Sequence, residues 1–199
     1  MPATTQARFI LVRPRNPLNI GAAARALANF GFDDLAVVDP YEPVWKEAKA
    51  AVGAETLLQK AQALSLGEAV RDSHIVIGTH DGRRKGTTDR PRIDVPELNS
   101  WLTHRLPAGG KLAILFGSEK TGLRNEDLAV CHAVARIPTR PDCPSMNLAQ
   151  AVAVVAYELT RPVAGTAPAK PLTPAMTVQQ REEFVRRAIA ACRALGYRR

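Results

Sequence analysis

"RFILVRPRNPLNIGAAARALANFGFDDLAVVD", residues 8–39, sets the fold class. RFILV at 8–12 is short, apolar and flanked by proline-containing loop, and it reads as a buried strand. Residues 19–30 read as a helix, because Ile20, Ala23, Ala24, Leu27 and Phe30 recur on one face. LAVVD at 35–39 reads as a second strand. Strand, helix and strand in succession predict a parallel pair crossed by a packed helix. Asn19, two residues after Pro17, reads as the helix N-cap. Gly21 costs about 1 kcal/mol against alanine inside a helix, and Arg25 falls off the apolar face beside Ala22 and Asn29. On periodicity alone, a solvent-facing arginine and a tolerated glycine account for both.

The alternation continues along the chain. After an irregular PYEPVW stretch, residues 46–63 read as helical with a break near Gly53. GEAVRDS at 67–73 predicts a short helix feeding the strand HIVIG at 74–78. A basic loop follows, and 94–103 predicts a helix with Asp94 as N-cap and Glu97 three residues later. KLAILFG at 111–117 and AVARI at 133–137 read as strands, and SMNLAQAVAVVAYEL at 145–159 as a strongly apolar helix. The predicted class is α/β, a mostly parallel sheet with helices on both faces. RPVAGTAPAKPLTPAM, 161–176, reads as a Pro/Ala-rich linker. Beyond it a last helix is predicted, with Thr177 and Gln180 as a capping box, Gly196 at its end, and an apolar stripe of Phe184, Val185, Ala188, Ile189, Cys192 and Leu195. The expected organisation is therefore a domain over 1–160, a linker over 161–176 and a helix over 177–199.

At 46% hydrophobic and 23% charged, the composition is that of a globular protein. No apolar run approaches a membrane span, and MPATTQARF carries no apolar signal region. Cys131, Cys143 and Cys192 are odd in number and form no CxxC pair, which speaks against a disulfide framework or structural zinc and for the cytoplasm. His74, His80, His104 and His132 have no metal-ligand spacing. The net charge of +8 makes an anionic partner plausible, nucleic acid above all. With aromatics at 5%, stacking on single-stranded bases is not advertised.

Ligands of such sheets bind beyond the carboxyl ends of the strands, which directs attention to the loops after Val12, Gly78, Gly117 and Ile137. LFGSEKTGLRNEDL, 115–128, ends a strand in glycine and reaches a predicted helix N-cap at Asn125. It mimics a P-loop but places Leu123 and Arg124 where Lys and Ser/Thr belong, and no G-x-G-x-x-G turn is present for a dinucleotide. IPTRPDCPSMNLAQ, 137–150, is a proline-stiffened loop with Ser145 and Asn147 at a helix start. The helix after it is apolar on nearly every face, which predicts burial all round and a subunit interface. HDGRRKGTTDRPR, 80–92, is a basic loop suited to phosphate contacts.

Three motifs in order then carry a resemblance: N-x-G-x-x-x-R at Asn19, Gly21 and Arg25; F-G-x-E-x-x-G-L at Phe116, Gly117, Glu119, Gly122 and Leu123; and S-x-N-L-A-x-A-V from Ser145, Asn147 and Leu148 onward. Over about residues 8–160 the chain resembles the SPOUT superfamily of knotted methyltransferases, its TrmH-like ribose 2′-O-methyltransferases, and among these the TrmJ-type branch acting on tRNA. That resemblance implies a C-terminal deep trefoil knot, S-adenosylmethionine as methyl donor with no metal, and a homodimer whose active site is completed across the interface. The donor contacts it implies are Thr79, His80, Asp81, Phe116, Gly117, Ile137, Pro144, Ser145, Met146 and Leu148. Its catalytic set is Arg25, as base or as anchor of the neighbouring phosphate, with Asn19, Glu119, Ser145 and Asn147 orienting Arg25 and the donor. The residues expected to meet RNA are Arg13, Arg15, Arg25, Arg83, Arg84 and Lys85. The implied substrate is tRNA at the anticodon loop, with ribosomal RNA or a non-catalytic knotted RNA-binding role as alternatives. TrmJ-type members carry a longer extension past the linker helix, and the THDGRR loop replaces a more usual small-residue sequence.

Overall fold

Strand β1, Gln6–Val12, is the centre from which the sheet grows. In the computed structural model, which describes residues 6–50, 55–81, 90–161 and 176–194, it pairs in parallel with β2, Asp34–Val38, on one side and with β6, Lys111–Phe116, on the other. With β3 Gln62–Leu64, β4 Ile75–Thr79, β5 Arg92–Asp94 and β7 Ala133–Arg136, the order is β3-β2-β1-β6-β4-β7-β5, every pairing parallel. Strand side chains alternate between two cores, as a period of two requires. Phe9, Leu11, Val37, Ile77 and Ile114 face one core, which also takes Ile20, Ala24 and Leu27 from α1, Pro17–Asn29, and Val152 and Val155 from α7, Leu148–Thr160. Ile10, Val12, Val38, Val76 and Leu115 face the other, under α4, Leu66–Val70, and α6, Asn125–Ala129. Helices α2, Glu42–Ala50, and α3, Glu55–Lys60, follow β2, and α5, Leu98–Thr103, precedes β6. Helix α8, Val178–Ala194, ends the described chain.

Several local expectations are corrected. The α1 N-cap is Asn16, not Asn19: Asn16 Oδ1 accepts the Leu18 N–H at 2.9 Å, and Pro17 fits the first turn because its missing N–H is one the helix would leave free anyway. Helix α2 begins at Glu42 inside the stretch read as irregular, for the same reason at Pro43. Residues 62 and 63, read as the end of a helix, form with Leu64 a strand beside β2. Asp94 caps no helix with its side chain; its carboxylate holds Arg136 at 2.9 and 3.0 Å, in a strand the sequence did not signal, and a 3-10 turn over Val95–Glu97 leads into α5. The α6 N-cap is Arg124 rather than Asn125, and α7 starts at Leu148 behind Asn147, whose Oδ1 accepts the N–H groups of Ala149 and Gln150. Within one chain, helix α7 leaves Tyr157 exposed and Val154 half-buried. Cys131 is buried, and Cys143 and Cys192 are exposed. Gly53, the linker over 162–175, Leu195 and Gly196 lie outside the described residues.

Candidate active site

The carboxyl ends of β4, β6 and β7 open onto one cavity of about 410 Å³. Its first wall is the turn after β6. Gly117 is obligatory there: a Cβ on it would sit 2.1 Å from both the Gly122 carbonyl carbon and the Leu123 nitrogen. The chain folds back this tightly because Gly122 takes φ +64, in the left-handed region, and its N–H donates to Ser118 O at 2.8 Å. The second wall is the 137–146 loop, held by Thr139 Oγ1 donating to Pro144 O at 3.1 Å. The third is the end of β4, where Thr79 Oγ1 donates to Leu115 O at 2.9 Å and the His80 N–H to Ala135 O at 3.0 Å.

Thr79, His80, Asp81, Phe116, Gly117, Ile137, Pro144, Ser145, Met146 and Leu148 all line this cavity. Ser118, Lys120, Thr121 and Thr139 line it as well, and the sequence reading missed them. Ser118, Lys120 and Thr121 occupy unspecified positions of the second motif and Thr139 stands in the loop ahead of the third, where the loop's path rather than the residue type brings them inward. The cavity combines an apolar side from Phe116, Ile137 and Leu148 with hydroxyl and backbone groups, the make-up of a small-molecule site. Among the described residues no cluster of His, Cys, Asp and Glu has the arrangement to hold a metal. Cys131 lies against Gly78 on the far side of the sheet, its thiol pushed up to about 12 by burial, so it offers no nucleophile.

A hydrogen-bonded chain runs along the rim. The Glu119 carboxylate accepts the backbone N–H of Arg15 at 2.9 Å and of Asn16 at 3.2 Å, and the Asn19 Nδ2–H at 2.8 Å. Asn19 Oδ1 accepts from Asn147 Nδ2 at 2.9 Å. Three motifs distant in sequence are thereby joined, from the β1–α1 loop through the β6 turn to the start of α7.

Two sequence expectations are revised. Asn19, Glu119 and Asn147 bind one another rather than Arg25, and Ser145 lines the cavity beside them. Arg25 is exposed six residues along α1 from Asn19, an axial rise of about 9 Å, and is not among the residues lining the cavity of its own chain. Arg13, expected to face RNA, is turned inward instead. Its Nη2 contacts Asp127 Oδ2, Asp127 is buried, and Arg13 Nη1 lies 3.9 Å from Asp39. Burial of a carboxylate needs such a partner, and this one spends Arg13 on the fold. Arg15 is exposed, and Arg83, Arg84 and Lys85 lie outside the described residues.

Comparison with known proteins agrees with this geometry. Residues 6–157 match the SpoU rRNA Methylase family. The chain is 38% identical over 154 residues to the tRNA (cytidine/uridine/adenosine-2′-O-)-methyltransferase TrmJ of Pseudomonas aeruginosa, covering 76% of this chain and 59% of that protein. The crystal structure of TrmJ from Z. mobilis ZM4 superposes with a TM-score of 0.74 at 32% identity, covering 96% of this chain and 81% of that one. An AdoMet-bound rRNA methyltransferase from Sinorhizobium meliloti shares the fold, with a TM-score of 0.60 at 21% identity over 79% of this chain and 57% of that one. The chain spans about three fifths of the length of the curated relatives it matches.

Proposed function

The chain belongs to the SpoU rRNA methylase family, and on that premise we propose that it is an S-adenosylmethionine-dependent RNA ribose 2′-O-methyltransferase acting on tRNA. The observation that carries the reading is the cavity itself: the ten side chains and backbone segments expected around the donor, drawn from four separate stretches, meet in one space. The space fits a bent donor carrying an adenine ring and a polar amino-acid end. Phe116, Ile137 and Leu148 offer the apolar surface, Thr79, Ser145 and Thr139 the hydroxyls, and the Gly117–Gly122 turn leaves room that a Cβ would fill.

When bound, the donor would supply a sulfonium methyl to the ribose 2′ oxygen, with the neutral thioether as leaving group and the hydroxyl proton released to solvent. The chain's own residues do the positioning. Glu119 and Asn19 fix the start of α1 against the cavity rim, and Asn147 fixes the start of α7. Arg25 acts from a second copy of the chain, holding the phosphate next to the target ribose so that its 2′ oxygen lines up with the methyl. Its guanidinium stays charged in proteins, so positioning rather than proton removal is the role we assign it. The homodimer this requires is supported by the exposed apolar surface on the α1–α7 face: Leu18, and Tyr157, whose ring lies 5.9 Å from that of Phe30. Arg25 stands on that same face of α1, seven residues from Leu18.

The rest of the reading follows. Arg15 and Arg25, with Arg83, Arg84 and Lys85, grip the RNA backbone, in the cytoplasm. The catalytic domain is 1–160, followed by the linker 161–176 and the helix 177–199. The path of β7 between β4 and β5, followed by the 137–146 loop and α7 crossing back to α1, is consistent with a trefoil knot. The tRNA substrate is supported by the TrmJ relatives, which are named as tRNA 2′-O-methyltransferases.

The test is donor binding by calorimetry, together with mapping of 2′-O-methyl groups on total tRNA and on ribosomal RNA incubated with donor and protein. Donor binding with new 2′-O-methylation of tRNA is expected. Arg25→Ala should lose turnover and keep donor binding. Absence of donor binding overturns the enzymatic reading, and methylation confined to ribosomal RNA overturns the substrate.

A further inference from the structure

Lys120 is the one lysine or arginine among the described residues that line the cavity. It stands at the tip of the β6 turn, whose base is pinned by the Ser118–Gly122 bridge and by the Gly122 N–H donating to Ser118 O at 2.8 Å. The backbone of Lys120 is thereby held on the cavity wall, while its side chain is exposed at the mouth. Among the described residues that side chain has no ion pair and no hydrogen-bond partner. The carboxylate beside it in sequence is committed elsewhere, since Glu119 accepts N–H groups from Arg15, Asn16 and Asn19. The other carboxylate on the wall, Asp81, lies 3.6 Å from His80 Nδ1. An unpaired ammonium group on a wall of apolar side chains and neutral hydroxyls favours an anion.

We propose that Lys120 binds the carboxylate of the methyl donor and so fixes which way round the donor's amino-acid end lies. The proposal rests on the methyl-transfer reading. That end carries an ammonium group and a carboxylate on one carbon, with the sulfonium on the same short chain. The hydroxyls of Thr79, Thr139 and Ser145 can each donate or accept, so they do not tell the two groups apart. Lys120 has donors and no acceptor: it attracts the carboxylate and repels the ammonium and the sulfonium. Its place at the mouth agrees, because the charged end keeps part of its water there while the apolar side takes the uncharged ring. A phosphate of the RNA is the other anion within reach of an exposed lysine. Arg15 and Arg25, the residues assigned to phosphate, stand outside the cavity lining, whereas Lys120 stands within it.

The test is calorimetry on the full chain with two probes, S-adenosylmethionine and its decarboxylated form, which keeps the ring, the sulfonium and the amine. Lys120→Met keeps the apolar stem and removes the charge, and Lys120→Arg keeps the charge. For an ion pair at a half-open site, Lys120→Met should weaken S-adenosylmethionine about five- to ten-fold. The decarboxylated form should bind that variant as well as the wild type or more tightly, because a cation facing two cations has been removed. Lys120→Arg should hold S-adenosylmethionine within about three-fold of the wild type. Circular dichroism checks that each variant keeps its fold. Equal losses for the two probes, or no loss for either, overturn the pairing. An unchanged donor affinity with a raised KM for tRNA assigns Lys120 to an RNA phosphate and overturns it too. A wild-type chain that binds neither probe overturns the methyl-transfer reading itself; a wild type that binds S-adenosylmethionine no more tightly than Lys120→Met does overturns the lysine's role and leaves that reading standing.

Discussion

Asp127→Asn tests what holds the active-site loops together. Asp127 is 1% exposed. Its Oδ2 contacts Arg13 Nη2 and accepts the Arg124 N–H at 2.6 Å, so one oxygen serves the β1–α1 loop and the α6 start together. Arg13 is committed to this contact by its backbone: φ is +50, in the left-handed region, and its N–H donates to Val38 O at 2.8 Å. The asparagine keeps the volume and one acceptor but removes the charge. Leaving a buried ion without its partner costs about 3–5 kcal/mol. Here the Arg13 side chain is 18% exposed and Asp39 stays 3.9 Å away, so part of the loss is recovered and about 2–3 kcal/mol is expected. For a chain of this size that is a fall in Tm of about 4–12 °C. Thermal unfolding followed by circular dichroism at neutral pH reads it. Arg13→Met should be comparably destabilised, and the double variant should lie at least 1 kcal/mol above the sum of the two losses, because it leaves no orphaned charge. Two single losses that simply add within about 0.5 kcal/mol, or a Tm unchanged in Asp127→Asn, would refute the clamp.

Two further outcomes follow. Gly117→Ala drives a methyl into the Gly122–Leu123 backbone, which cannot swing away as a side chain would; the variant should fold with its sheet intact by circular dichroism yet lose donor binding in calorimetry, and wild-type affinity would contradict the tight turn. His132 titrates below its ordinary value, chiefly through burial and then through the nearby Arg181 and Arg90 charges. Its Nδ1 also accepts the Val76 N–H at 2.9 Å, which requires that nitrogen unprotonated. The unfolded chain therefore takes up a proton that the folded chain resists, so stability is complete above about pH 6.5 and falls as the pH drops below it toward the lower folded value. In His132→Asn, whose Oδ1 keeps an acceptor near the same place, the drop in Tm between pH 7 and pH 5 should shrink; an undiminished drop would assign it elsewhere.

The sequence displayed the sheet more fully than the site. Its central strands are continuous apolar runs because both faces are covered, and RFILV, KLAILF and AVAR stand out for that reason. The edge strands β3 and β5 are three residues long and leave no period to read. The place of the cavity was legible from the strand ends and most of its lining from the motif resemblance, but Ser118, Lys120 and Thr121 reach it because the chain folds back at Gly117 and Gly122, a path set by backbone crowding and a positive φ rather than by any pattern of side chains. Arg13 misled for a related reason. An arginine in a loop after a strand resembles a phosphate contact, and its true partner lies 114 residues away at Asp127.

The cap shift from Asn19 to Asn16 also explains why the first motif needs an asparagine at its first position. Had Asn19 capped α1, its side-chain oxygen would be bound to its own helix. With Asn16 taking that duty, Asn19 is free to donate through Nδ2 to Glu119 and to accept through Oδ1 from Asn147. The chain of bonds has one direction. Glu119 can only accept, so Asn19 must turn its amide nitrogen toward it and its oxygen toward Asn147. Asn147 then presents Nδ2 to Asn19 and Oδ1 to the N–H groups of Ala149 and Gln150, where the helix terminus needs an acceptor. Each amide is used at both ends, so neither can flip. Aspartate at 19 would set carboxylate against carboxylate, and aspartate at 147 would still cap α7 but have nothing to donate. The carboxylate at one end and the helix N-terminus at the other thus fix the orientation of both asparagines, and with them the rim of the cavity on which the proposed chemistry depends.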